Sequence, residues 1–375
     1  MNATDFCADL IRCKSVTPND DGAIGRIADF LSAFGAETEI LTFRSADGGN
    51  VVTNLFAKYG NSERKILGFL GHSDVVPAGD GWETDPFEAV RKDGFLIGRG
   101  AADMKGGIAA FCCAAARFAE RPFDGTVEFF ITGDEEKGSP EGIRSLIDSA
   151  VRNNRIPRDC LIGEPSSDLK TGDRIYIGHR GSMNVTVKSR GRQGHSAYPA
   201  AYKNSLSALC KYIAKIADFR WKHENQQFPT TNAEATMLFT DNYAVNVVPE
   251  LSSANLNIRF GDDYTIDELK ELILREAEGF EGLSFDFSVS GEAYCCNSEE
   301  LKTLAAAAVK ETIGVDPVFS TAGGTSDGRH MIRFCNVIEL GLPDSTIHQK
   351  NEKIKIEDLE NLEKIYLRFL EKYFA

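Results

Sequence analysis

The run Phe129-Phe130-Ile131-Thr132-Gly133-Asp134-Glu135-Glu136 ("FFITGDEE") carries an apolar strand straight into three consecutive acids. Like charges side by side repel, so the cluster calls for a cation nearby. The same pattern, an apolar run delivering a polar residue, recurs along the chain. "LGFLGHSD" ends in His72 and Asp74, "CLIGEP" in Glu164, and "NVIELGLPDSTIH" leads to His348. Asp103 lies in "GRGAADMKGG", a glycine-flanked loop just before a helical stretch. Two histidines with several carboxylates and no cysteine form a nitrogen and oxygen donor set suited to Zn²⁺, Co²⁺ or Mn²⁺. Two neighbouring ions need a bridging carboxylate and a pair of ligands each. The sequence offers His72 and Glu164 for one, Glu136 and His348 for the other, and Asp103 between them. Asp74, two residues after His72, points to the same side of its strand and can hold the second ring nitrogen.

Each residue also has a plainer reading. His72 can be a satisfied histidine at a strand end, Asp103 a helix N-cap, Glu164 a turn residue before Pro165, and His348 a surface loop residue. Their common placement at strand ends or in a glycine-rich loop favours the shared site. In open α/β sheets, ligands bind outside the carboxyl ends of the strands.

The elements that must position these residues alternate. The apolar runs "KILGFLGH", "TVEFFITGDEE", "CLIGEP" and "NVIELGL" are separated by helix-like stretches such as "MKGGIAAFCCAAARFAE" and "EGIRSLIDSAV". This predicts an α/β fold, a sheet covered by helices. The middle of the chain differs, with "MNVTVKSRG", "AEATMLFT", "SSANLNIRF" and "LSFDFSVS" alternating apolar and polar residues around two helical patterns. An inserted ferredoxin-like α+β domain is expected over residues 179–291, leaving a discontinuous catalytic domain of residues 1–178 and 292–375. A length of 375 residues suits two domains.

Asp and Glu number 56 against 42 Lys and Arg, a formal charge of −14, and no basic run stands out. Nucleic acid and anionic membrane are therefore not expected as partners. The N-terminal "MNATDFCADLIRCKSVTP" lacks a basic region followed by an apolar core, so a cytoplasmic protein is expected. Nine cysteines, with Cys112-Cys113 and Cys295-Cys296 adjacent and no CxxC pair, are expected to be reduced thiols.

"GHSDVVPAGDGWETDPF", "DGFLIGRGAADMKGGIAAF", "ITGDEE", "GEPSS", "GRQGHSAYP", "NVVP", "NIRF", "GGTSDGR" and "TIHQKNE" occur in this order. Together they resemble the two-zinc aminoacylase/acetylornithine deacetylase superfamily of metallopeptidases, and within it the bacterial succinyl-diaminopimelate desuccinylase branch. The resemblance implies two Zn²⁺, replaceable by Co²⁺, held by His72, Asp103, Glu136, Glu164 and His348, with Asp103 bridging. It implies that Glu135 is the general acid/base, that Asp74 supports His72, and that a cis peptide follows Asp103. It further implies a homodimer in which His195 reaches the partner's active site to bind the developing oxyanion, with the insert serving as lid and dimer interface. Arg180, Tyr198, Asn246, Arg259 and the run Gly323 to Ser326, with Gly324, Thr325 and Ser326, resemble substrate-binding positions. Guanidinium groups suit a substrate bearing several carboxylates.

The implied reaction is hydrolysis of N-succinyl-LL-2,6-diaminopimelate to succinate and LL-2,6-diaminopimelate, a step in lysine and diaminopimelate biosynthesis. Departures from the branch pattern lie at Ser196, in "AAYKNS", in "GEAYCC" and in the helix after "GDEEKGS". They spare the ligands but leave the acyl group open. The alternatives are a related deacylase of the acetylornithine type, a dipeptidase, or a non-catalytic metal-binding paralogue.

Overall fold

Strands buried on both faces show no polar alternation, and the continuous apolar runs behave accordingly. The computed structural model describes residues 1–44, 51–137 and 141–375. These divide into two units: one of Met1–Ile177, Cys296–Ser320 and Ser326–Ala375, the other of Gly178–Cys295 with Thr321–Thr325.

The larger unit is built on an eight-stranded sheet in the order Glu37–Arg44, Val51–Gly60, Thr126–Thr132, Ile66–His72, Asp159–Ile162, Asn336–Glu339, Arg174–Tyr176, Val318–Ser320. The strands Thr126–Thr132, Ile66–His72, Asp159–Ile162 and Asn336–Glu339 run parallel to one another, while the pair at the Glu37–Arg44 edge is antiparallel. Register aligns their ends. His72 pairs with Thr132, Leu70 with Ile162, and Ile162 with Glu339. The residues that follow these strands therefore emerge on one rim.

Successive side chains alternate between two cores. Leu67, Phe69, Val127, Phe129 and Ile131 pack with the helices Ala3–Arg12, Gly106–Phe118, Glu299–Ile313 and Ile356–Tyr373. Leu70, Phe130, Cys160, Ile162 and Val337 pack instead with Ile143, Leu146, Ile147 and Ala150 of the helix Gly142–Arg152. Helix Gly106–Phe118 is buried nearly all round, which explains its lack of a polar stripe. Phe111 stacks on Phe69 with centroids 4.0 Å apart, and burying each such ring contributes about 1.5–3 kcal/mol. Its first turn needs glycine for close approach: a Cβ on Gly107 would lie 2.2 Å from the Gly163 oxygen. Substitution here would push the helix off the strand that leads to Glu164.

The smaller unit is a four-stranded antiparallel sheet in the order Asn232–Phe239, Leu251–Phe260, Gly181–Arg190, Leu283–Gly291. Helices Ser205–Ala217 and Ile266–Glu276 complete a βαββαβ unit with ferredoxin-like strand order. Met183, Val185, Val187, Leu256 and Ile258 meet Leu209, Tyr212, Leu269 and Ile273 of these helices in a core of their own. Helix Ile266–Glu276 starts in a capping box: Glu268 N–H donates to Thr265 Oγ1 and Thr265 N–H to Glu268 Oε2. At the edge strand the alternation expected of "AEATMLFT" breaks down. Met237, Leu238 and Phe239 are all exposed.

All nine cysteines are thiols. Among the described residues no helix is long and apolar enough to cross a membrane. Gly138 and Ser139 of "GDEEKGS" lie outside the described residues.

Candidate active site

The rim of the larger sheet collects the five expected ligands. His72, Asp103 and Glu136 form a cluster whose donor atoms lie within 4.8 Å of one another. Asp103 Oδ1 is 3.1 Å from His72 Nε2, and its Oδ2 is 3.2 Å from His348 Nε2. His72 Nε2 is also 3.6 Å from Glu164 Oε1, and His348 Nε2 is 3.0 Å from Glu136 Oε1. One carboxylate thus faces two histidine–glutamate pairs, one with each oxygen. That donor set fits two divalent cations sharing Asp103.

Local backbone makes this possible. Asp103 has φ −123° and ψ 98° within the irregular turn Ala101–Lys105, so it does not cap the helix that follows, and the Asp103–Met104 peptide is cis. His348 adopts a left-handed φ of 58°, a conformation uncommon for a non-glycine residue and frequent at functional sites.

Asp74 differs from the expectation in detail. His72 Nδ1 lies 3.0 Å from the Asp74 main-chain oxygen and 3.5 Å from its carboxylate. A carbonyl can only accept, so Nδ1 carries the proton and Nε2 is left for a metal. The Asp74 carboxylate, fully buried, accepts instead from the N–H groups of Glu135 and Glu136, both at 3.2 Å. It fixes the backbone of the expected base and of its neighbouring ligand together.

Asp134, the remaining acid of the cluster, accepts from the N–H of Glu141 (3.0 Å) and Gly142 (3.1 Å). Gly142 is required there, because a Cβ would sit 2.3 Å from Asp134 Oδ1. Asn54, also fully buried, accepts from Gly133 N–H at 3.1 Å and donates to the Gly142 oxygen at 3.0 Å. Nothing in the sequence around Asn54 marks it, because its partners are main-chain groups 79 and 88 residues away.

The electrostatics describe a site short of positive charge. Burial and the neighbouring Asp327, Glu136 and Asp103 carboxylates push Glu135 well above the usual carboxylate range, with His72 opposing. Burial, Asp103 and Glu135 do the same to Glu164. Burial disfavours a charged His72, yet Glu164, Asp103 and Asp74 outweigh it and raise the imidazole well above its ordinary value. His348 is raised to about 10, chiefly by hydrogen bonds to Asp103 and Glu136. Burial lifts Asp327, another acid of this rim, to about 7. Crowded carboxylates that hold protons in the absence of a cation release them to one.

Of the other expected residues, His195, Tyr198 and Asn246, the pair Arg180 and Arg259, and Gly324 and Thr325 belong to the smaller unit, and Ser326 to the larger. His195 and Asn246 approach at 3.4 Å between Nε2 and Nδ2, and the His195 ring is 5.5 Å from that of Tyr198. All three side chains are exposed. Arg180 donates to Asn232 Oδ1 at 2.9 Å and Arg259 to Asn257 Oδ1 at 3.0 Å. Among the described residues no carboxylate pairs with either guanidinium. Burial and Arg259 lower the pKa of Arg180, as burial lowers that of Arg259. In the "GGTS" run, Gly324 is exposed and Thr325 half-buried, but Ser326 is buried with its hydroxyl donated to Glu339. Ser326 therefore offers no free hydroxyl to a ligand.

The signature of peptidase family M20/M25/M40 matches residues 68–372, which include all five metal-type positions. The succinyl-diaminopimelate desuccinylase of Zymomonas mobilis is 40% identical over 362 residues, covering 96% of this chain and 95% of that protein. Among solved structures, aminopeptidase PepT from Bacillus cereus superposes with a TM-score of 0.80 at 20% identity, covering 100% of this chain and 98% of that one. The Bacillus subtilis YXEP protein, described as a dinuclear metal binding peptidase, superposes with a TM-score of 0.71 at 16% identity, covering 100% and 98%. With the rim's donor set and a signature spanning most of its length, this chain belongs to peptidase family M20/M25/M40.

Proposed function

We propose that this protein hydrolyses the amide of N-succinyl-LL-2,6-diaminopimelate, giving succinate and LL-2,6-diaminopimelate. The observation that carries the hydrolytic reading is Asp103, whose two oxygens face His72 and His348 separately. The substrate follows from the near full-length likeness to proteins named for that reaction, and two arginines that have no carboxylate partner among the described residues suit its multiple carboxylates.

His72 and Glu164 would hold one cation, Glu136 and His348 the other, with Asp103 between. Zn²⁺ is the proposed metal and Co²⁺ a substitute. Such ions supply Lewis-acid polarisation and lower the pKa of water. Glu135 takes a proton from the attacking water and passes it to the leaving amine, base first and acid second. Asp74 keeps the proton of His72 on Nδ1 and holds Glu135 in place through its backbone. Arg180, Arg259, Asn246, Tyr198 and the Gly324–Thr325 segment position substrate.

The smaller unit acts as lid and dimerisation domain, with His195 of each protomer stabilising the oxyanion in its partner's site. The exposed apolar edge Met237–Phe239 and the exposed His195 support a homodimer. A fully active monomer in sedimentation would refute that arrangement.

Ser196 favours a second reading, deacylation of the acetylornithine type. Zinc-loaded protein offered succinyl-diaminopimelate, acetylornithine and a dipeptide in parallel decides between them. Succinate release is expected with the first substrate, and hydrolysis of only the others would overturn the assignment.

A further inference from the structure

Glu352 is 1% exposed, and its carboxylate is saturated. Oε1 accepts from the N–H of Ala102 at 2.9 Å and of Asp103 at 3.2 Å. Oε2 accepts from the N–H of Gly100 at 3.0 Å and from Arg99 Nη1 at 2.7 Å. Its own main-chain oxygen accepts from Gly98 at 2.9 Å. The segment Arg99–Asp103 is thus gathered around one side chain from the far end of the sequence, and Gly98 is held by the main chain of the same residue. That side chain lies four residues after His348, just before the strand Lys353–Lys355, which pairs with Phe95–Ile97.

A carboxylate offers about four acceptor positions, and all four are used here, so Glu352 is not itself a ligand. Nor is stability a sufficient reason for it. A buried ion pair such as Arg99–Glu352 is commonly no better for stability than apolar side chains of similar volume. An apolar residue, however, could not gather three backbone N–H groups onto one point.

We infer that Glu352 is a positioning residue for the dinuclear centre: it sets the orientation of the Asp103 loop so that the two carboxylate oxygens face His72 and His348 separately. This rests on Asp103 being the shared metal ligand. In Glu352→Gln one oxygen becomes an N–H donor. The remaining oxygen stays with the charged Arg99, so the new donor confronts the N–H groups of Ala102 and Asp103 and displaces that loop.

The test reads metal binding without substrate. For Glu352→Gln, Zn²⁺ affinity by competition with a chromophoric chelator should fall about 10- to 100-fold. The visible spectrum of the Co²⁺-loaded protein should change, and kcat should fall more than KM rises. Wild-type Zn²⁺ affinity with a wild-type Co²⁺ spectrum would overturn the inference, even if the metal-free protein melted at a lower temperature. Should that variant fail to fold, Glu352→Asp keeps the anion but withdraws it by one methylene. Weakened Zn²⁺ binding then supports the role, and unchanged binding overturns it. Because the Zn²⁺ affinity and the Co²⁺ spectrum are read without a substrate, a wrong substrate assignment leaves those two arms of the test intact.

Discussion

Glu128 lies in strand Thr126–Thr132, opposite Gly68 on one side and Lys58 on the other. It is 3% exposed and its Oε2 makes no hydrogen bond. Burial lifts the carboxyl from its ordinary 4.5 to about 7, with Arg155 and Lys58 offsetting only part. At about 1.36 kcal/mol per pH unit, that interval amounts to about 3 kcal/mol. The folded protein keeps a proton that the unfolded chain releases between these values. Stability therefore falls as pH rises through the window, and the full cost is present above it. Glu128→Gln removes the charge and keeps the shape. Urea unfolding of both metal-free proteins at pH 5 and pH 8 isolates the effect, because titration at the distant rim cancels between them. The variant's stability relative to the parent should be higher at pH 8 than at pH 5 by about 2–3 kcal/mol. Any constant cost of the new amide drops out of this difference. Parallel pH dependences for the two proteins would refute the assignment of a buried, titrating Glu128.

Glu135→Gln should retain both metals by elemental analysis while kcat falls about 10²- to 10⁴-fold; a variant keeping most activity would remove Glu135 as the proton carrier. Arg180→Lys and Arg259→Lys keep the charge but lose the planar fork, so steady-state kinetics should show KM for the succinylated substrate rising about tenfold with a smaller change in kcat. Dialysis against a chelator should abolish activity and lower the melting temperature, with Zn²⁺ restoring both. His348, held at about 10 in the metal-free site, must lose its proton on binding, so the calorimetric heat at neutral pH should vary with the ionisation enthalpy of the buffer.

The rim was legible because parallel strands buried on both faces read as unbroken apolar runs, and each ends where a polar residue begins. His72, Glu136, Glu164 and the approach to His348 could be placed on that logic alone. The order of the strands could not. Arg174–Tyr176 and Val318–Ser320 span three residues each, too few for a period to emerge. Their neighbours are set by long-range packing. In the smaller unit the alternation of "SSANLNIRF" reports a two-faced strand faithfully, whereas "AEATMLFT" ends in three apolar residues that stand exposed at an edge. Asn54 and Glu352 were invisible for a different reason. Their partners are backbone N–H and C=O groups, which every residue but proline carries and no letter of the sequence distinguishes.

That same distinction sorts the acids of the site. Asp74, Asp134 and Glu352 spend their oxygens on main-chain N–H groups of Glu135 and Glu136, of Glu141 and Gly142, and of Gly100, Ala102 and Asp103 respectively. Backbone donors are fixed by the fold and do not titrate, so these three carboxylates hold their loops in place. Asp103, Glu136 and Glu164 instead meet imidazoles at 3.0–3.6 Å, partners that can exchange a proton for a metal ion. Glu135 is raised by burial and by the Asp327, Glu136 and Asp103 carboxylates, with His72 opposing, which suits a group proposed to take a proton and give it back. In "GDEE", then, three chemically similar side chains diverge because of what faces them. The acid turned toward backbone shapes the loop, the acid turned toward His348 is the one proposed to bind a cation, and the acid that meets other carboxylates is the one proposed to carry the proton.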